Sequence, residues 1–102
     1  MDYSRYLAYR AALDTIERAP GLDRHERARL RDTAEALLLT NDPEDADAHR
    51  SDAAMALSLL VLLRRWDRLS ADALWHEIVD CGPPHSSDAH PLTRAVTFAG
   101  AL

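Results

Sequence analysis

The longest apolar stretch of the chain runs from residue 53 to residue 63 and is interrupted only by Ser58. As an α-helix it would be about 16 Å long, which is roughly half the hydrocarbon thickness of a bilayer and too short to span a membrane. Its apolar residues lie almost all round the helix, as is typical of the central helix of a bundle. The residues that we therefore expect to be buried are Ala54, Met55, Leu57, Leu59, Leu60, Val61, Leu62 and Leu63.

The aliphatic composition indicates which secondary structure surrounds this stretch. The chain has 18 Ala and 16 Leu but only 3 Val and 2 Ile. Ala and Leu favour helices, whereas β-branched residues favour strands. With 102 residues, of which 47% are hydrophobic, the chain can bury one core. We predict a single all-α domain over residues 1–102: an antiparallel bundle of four main helices, followed by a short C-terminal helix that begins at Pro91.

Turn and capping signals predict the first two helices. The first covers about residues 3–19 and ends at Pro20-Gly21, a pair that favours a turn. The second begins after Asp23, whose carboxylate can cap the helix while Glu26 completes a capping box. We expect this helix to reach residue 39 or 40. Its buried seam is Leu30, Ala34 and Leu37.

The third and fourth helices follow from similar signals. Asp42 is a good N-cap, and Pro43 suits the first helical position. The third helix could run unbroken from residue 43 to about residue 65, or it could begin again at Ser51, and the sequence leaves both alternatives open. Ser70 would cap a fourth helix that reaches about residue 81. Its predicted buried face is Ala71, Leu74, Trp75, Ile78 and Val79.

Rare or missing residue types exclude several classes of chemistry. All twelve cations are Arg, which excludes Schiff-base catalysis and the lysine of phosphate-binding GK[ST] loops. The three glycines are far apart and cannot form a glycine-rich phosphate loop. A single cysteine, Cys81, excludes an internal disulfide and every multi-cysteine zinc site. We expect no catalytic residues and no cofactor.

Composition also bears on location. Abundant Ala and Arg without Lys is typical of a GC-rich coding sequence, which suggests a bacterial protein. The N-terminal residues lead into an amphipathic helix instead of a signal peptide. We expect a cytoplasmic protein that makes no contact with membranes.

The acidic charge of the chain is concentrated at the start of the third helix. Residues 41–63 carry five acids and one Arg, a charge of −4 out of the net −5. Within this stretch Asp45, His49 and Asp52 recur at i, i+4 and i+7, and they would share one stripe of a continuous helix and could hold a divalent metal. The preferred interpretation is that these are solvated carboxylates, favoured by the helix dipole, with a weak Asp45/His49 pair. The acidic patch is a candidate contact for a metal or a basic partner.

A second candidate group surrounds the single cysteine. Cys81 is followed by His85 and His90, and a neighbouring imidazolium can lower the pKa of a thiol and make it reactive. The end of a helix disfavours a thiolate, however, because the helix dipole is negative there. We therefore prefer an inert, partly buried thiol to a thiol-dependent enzyme.

The weakest candidate is a nucleic-acid surface. Arg24, Arg27 and Arg31 line an exposed arc of the second helix, and the turn before it makes a helix-turn-helix conceivable. Acidic residues are interleaved with them, and residues 1–40 carry seven Arg and seven acids. Nucleic-acid binders usually show a clear positive excess, so we expect no such binding.

One apolar pair lies outside the predicted core stripe of the first helix. That stripe is Tyr6, Tyr9, Leu13 and Ile16. Tyr3 and Leu7 pair at i, i+4 within the polar arc and are candidates for contact with another chain. The sequence thus favours a non-catalytic protein-interaction or regulatory module that forms a homo-oligomer, such as a homodimer, or binds another protein.

Overall fold

The structure is a computed structural model that describes residues 3–83. Within this range the chain forms four helices and no strands: α1 (Tyr3–Arg18), α2 (Arg24–Leu39), α3 (Pro43–Leu62) and α4 (Arg68–Val79). The predicted all-α class is confirmed for this part of the chain. The predicted C-terminal helix from Pro91 lies outside the described residues.

The helices pack so that α1 and α3 each contact both α2 and α4. At one side of the assembly the turn after α1 meets the connection between α3 and α4, where Arg65 Nη2 donates to the Gly21 carbonyl at 3.4 Å. At the other side the start of α1 meets the ends of α2 and α4, since Arg5 donates to the carbonyl of Leu37 in α2 and to that of Cys81, just after α4. Every connection is short, as expected for neighbouring helices.

The core combines alanines with larger aliphatic side chains. Fully buried large residues come from all four helices, and alanines lie beside them on the inner faces, where a small side chain lets two helices approach closely. The predicted seam of α2 is confirmed. The main buried positions are Ala12, Ile16, Leu30, Ala34, Leu37, Ala53, Leu57, Ala71, Leu74 and Ile78.

Of the predicted N-caps Asp23, Asp42 and Ser70, the first two are confirmed and the third is wrong. Asp23 and Glu26 form both hydrogen bonds of a capping box at the start of α2, and Asp42 caps α3 with Pro43 in its first turn. The fourth helix, however, begins after Asp67 and not at Ser70. Aspartate is as good an N-cap as serine, and here it accepts the Ser70 amide at 2.8 Å, which lowers the pKa of Asp67. Ser70 therefore lies inside the first turn.

The third helix is continuous from Pro43 to Leu62 and does not begin again at Ser51. It ends at a Schellman turn, in which the Arg65 amide donates to the Leu60 carbonyl at 2.8 Å. Arg64 takes the left-handed position of this turn, with φ of 59°. The backbone thus stops the helix earlier than the predicted residue 65.

The prediction that this helix is buried all round is wrong. Leu57 and Leu60 are buried, but four large apolar side chains on the same helix are exposed. The reason is that α3 has α2 on one side and α4 on the other, and no helix of the described range covers the side that points away from them. The exposed residues are Met55, Leu59, Leu62 and Leu63.

The inner face of α1 is also rotated from its predicted position. Ile16 is buried as expected, but Tyr6, Tyr9 and Leu13 are only partly buried. Arg5 and Ala12 lie deeper than these three residues. An arginine therefore occupies the core face that the aromatic residues were expected to fill.

Candidate functional site

The exposed apolar residues of α3 and its C-cap Leu63 share one face, which we call the apolar stripe: Met55, Leu59, Leu62 and Leu63. Residues spaced by three or four positions on a helix are neighbours on the same face. Their exposed fractions are 62%, 46%, 68% and 65%. Single exposed leucines are ordinary on protein surfaces, whereas a contiguous patch is typical of an interaction site.

The charged residues before the apolar stripe are acidic and lie on α3, whereas those after it are basic and lie in the connection to α4. On its N-terminal side the exposed positions of α3 include Glu44, Asp45 and Asp52. Beyond its C-terminal end come Arg64 and Arg65, both exposed. Arg64 occupies the turn after the helix, and Arg65 pairs with Asp23 and Glu26, so these two arginines lie outside α3.

Tyr3 and Leu7 are exposed, by 71% and 50%, at the start of α1. Helix α1 packs against α2 and α4, as α3 does, so α1 and α3 lie across the assembly from each other. The Tyr3/Leu7 pair and the apolar stripe are thus separate surfaces on different sides of the described residues. The role of the pair as an interface stays a prediction.

The predicted metal group is only partly assembled. The continuous α3 places His49 Nε2 3.5 Å from Asp45 Oδ1, which is the pair that the helical spacing predicts. Asp52 is exposed. Among residues 3–83, no group of three or more His, Cys, Asp or Glu side chains is arranged to hold a metal ion.

The Cys81 side chain is fully buried and donates a hydrogen bond to the Glu77 carbonyl, with a sulfur–oxygen distance of 3.3 Å. Burial, reinforced by the nearby carboxylates of Asp80 and Glu77, raises the pKa of this thiol to about 12. At neutral pH the thiol is therefore protonated. His85 and His90, the predicted neighbours of Cys81, lie outside the described residues.

The arginine arc of α2 makes contacts within the chain. Arg27 Nη2 donates to the Ala19 carbonyl at 2.6 Å, and its Nε donates to the Ile16 carbonyl at 3.3 Å, so Arg27 caps the end of α1. Arg31 pairs with Glu17 at 2.8 Å. Arg24 is exposed. Two of the three predicted phosphate contacts therefore hold α1 against α2.

Sequence reasoning missed a polar cluster around the buried guanidinium of Arg5. Its Nε donates to the Cys81 carbonyl at 2.9 Å, and its Nη1 donates to Asn41 Oδ1 at 3.0 Å. Its Nη2 lies within hydrogen-bonding distance of three carbonyls at the end of α2, at 2.8, 3.1 and 2.7 Å; these belong to Leu37, Leu38 and Thr40. One side chain thus satisfies carbonyls at the ends of two helices, which have no partners within those helices.

A second buried arginine completes this cluster. Arg50 of α3 is 2% exposed, and its Nη2 donates to the carbonyls of Val79 at 3.2 Å and Pro83 at 2.6 Å. Its Nη1 lies 3.4 Å from Asp47 Oδ1. We call the region that Arg5 and Arg50 organise the arginine end. Its charges face the negative ends of α2 and α4, so its chemistry is that of a structural clamp.

The sequence does contain a signal for these arginines. Arg50 stands between Ala46 and Ala53 on the inner stripe of α3, and Arg5 precedes Ala12 by seven positions on the inner stripe of α1. An arginine at a core position near several helix ends can satisfy carbonyls that have lost their helical partners. Neither position stood out because arginine is usually assigned to the surface.

No protein-family model matches the chain, and the comparisons found no match among curated proteins or solved structures. Within residues 3–83, none of the helices has both the length and the apolar character that crossing a membrane requires.

Proposed function

We propose that this protein is a non-catalytic interaction or regulatory module that self-associates, and that the apolar stripe of α3 is its main contact surface. The observation that carries the proposal is the exposure of Met55, Leu59, Leu62 and Leu63 on one helix face. The chain exposes this surface although most of its other large aliphatic side chains in residues 3–83 are buried. Burying such a side chain fully gains about 1.5–3 kcal/mol, so covering four half-exposed ones is a substantial driving force.

The Tyr3/Leu7 pair is proposed as a second, smaller contact. It has two exposed apolar side chains where the apolar stripe has four. Because it lies on a different side of the molecule, it can bind another protein while the apolar stripe is occupied. Its substitution is expected to affect assembly less than substitution in the stripe.

We also propose that the four helices form an antiparallel bundle and that the protein is cytoplasmic, as the sequence predicts. An antiparallel bundle is supported by the two sets of contacts that join the turn after α1 to the α3–α4 connection, and the start of α1 to the ends of α2 and α4. We propose a homodimer that works in the bacterial cytoplasm, without metal, cofactor or nucleic acid.

Native mass spectrometry and sedimentation equilibrium of the untagged chain test this function. We expect the wild type to be a dimer at tens of micromolar, and Leu59→Asp to be a monomer that retains its helices and melts at a lower temperature, because association stabilises the folded state. Leu39→Asp is the matched control, because Leu39 is 68% exposed but lies at the end of α2, away from the apolar stripe. This control should remain dimeric, and Leu7→Asp should show at most a modest loss of assembly.

A wild type that is monomeric at tens of micromolar would contradict the proposed self-association. A dimer that survives Leu59→Asp but dissociates with Leu7→Asp would move the interface to α1. Circular dichroism of each variant verifies that the helices are retained, so a change in mass can be assigned to the contact surface.

A further inference from the structure

We draw no further inference here: the strongest candidate, the apolar stripe on the outward face of α3, belongs to the surface already proposed for self-association, and nothing in the structure shows what covers it.

Discussion

Two regions of this molecule use arginine in opposite ways. At the arginine end, Arg5 and Arg50 are 9% and 2% exposed and donate mainly to main-chain carbonyls. At the other side, the turn end, which comprises the Gly21 turn and the connection from α3 to α4, the Arg65 side chain is 41% exposed and pairs with Glu26 at 3.1 Å and Asp23 at 3.8 Å. The first arrangement supplies hydrogen bonds that buried helix ends cannot obtain from water. The second is an exposed ion pair that water and salt weaken.

The difference shows why the missing lysines suit this fold. A guanidinium has five N–H donors in a fixed fork and can bind several carbonyls at once, whereas an ammonium is a point charge with three donors. Arg5 uses this capacity to join the ends of α2 and α4, and Arg27 uses it at the end of α1. Carbonyls at or just after the ends of α1, α2 and α4 therefore accept hydrogen bonds from arginine side chains of another helix.

The largest expected effect is the loss of a buried clamp. Arg5→Ala and Arg50→Ala should each lower the free energy of unfolding by about 3 kcal/mol or more, because several buried carbonyls lose their donors. Arg5→Lys keeps the charge but not the fork, and should still cost about 2 kcal/mol. Urea unfolding measures these values. Arg18→Ala, at a side chain that is 79% exposed, is the control and should have little effect. Equal losses of unfolding free energy in all four variants would contradict the difference between buried and exposed arginines.

One glycine lies at each end of the molecule. Replacing each by alanine tests whether every substitution at the turn end costs less stability than one at the arginine end. A Cβ at position 21 would meet the main-chain carbonyl of Arg65, whereas one at position 82 would lie 2.7 Å from Arg50 Nη2 and 2.9 Å from Leu37 Cδ2. Side-chain ends can shift and a main chain cannot do so easily. Gly21→Ala should therefore cost about 2–3 kcal/mol and Gly82→Ala about 1–2 kcal/mol, in the same urea experiment. The reverse order would show that the backbone contact at the turn end is loose.

Alkaline pH should lower the free energy of unfolding through ionisation of the Cys81 thiol, which lies at the arginine end. Burial raises the pKa of this thiol from 9.0 to about 12, so between these pH values the unfolded chain binds fewer protons than the folded one. The free energy of unfolding must then fall as pH rises through this window, by at most about 1.4 kcal/mol per pH unit. Cys81→Ala should show a shallower slope, while the contribution of Tyr9, whose pKa is also raised, remains in both proteins. Parallel slopes would mean that the thiol is accessible to water.

The smallest effects are expected for the two exposed arginines of the turn end, Arg64 and Arg65. Arg65→Ala should cost less than about 1 kcal/mol, and less still at high salt, because its ion pairs are exposed. Arg64→Gly should stabilise the fold by about 0.5–1 kcal/mol, because glycine adopts the left-handed conformation without penalty. A loss of stability with Arg64→Gly in urea unfolding would contradict a conformational penalty at this position.

Capping chemistry explains why the helices could be predicted so closely. The capping box of Asp23 and Glu26, the Asp42-Pro43 start and the Pro20-Gly21 turn all act within a few residues, so they are readable from one sequence. Asp67 and Ser70 are N-caps of similar strength, and the sequence alone does not show which of them begins α4. The sequence also does not decide whether α3 is continuous or begins again at Ser51, and only the backbone shows that it is continuous.

The candidate surface was harder to predict than the helices. The apolar run of residues 53–63 has the composition of a buried helix, and only the positions of α2 and α4 show that its outward side is uncovered in the described range. Tyr3 and Leu7 were identifiable because they interrupt a polar arc, whereas the apolar stripe merges with the core residues of its own helix. A pattern locates an apolar side chain on a helix, but burial depends on what packs against that face.

The sequence by itself determined the helical class, the starts of α2 and α3 and the absence of lysine-based chemistry, because these depend on residue type and on interactions within one or two turns. Only the tertiary structure decided which charges are buried and which apolar residues are exposed. Arg5 and Arg50 are buried because the ends of α2 and α4 converge on them, and Leu59 is exposed because both neighbours of α3 lie on its other sides. Both outcomes depend on residues that are distant in sequence.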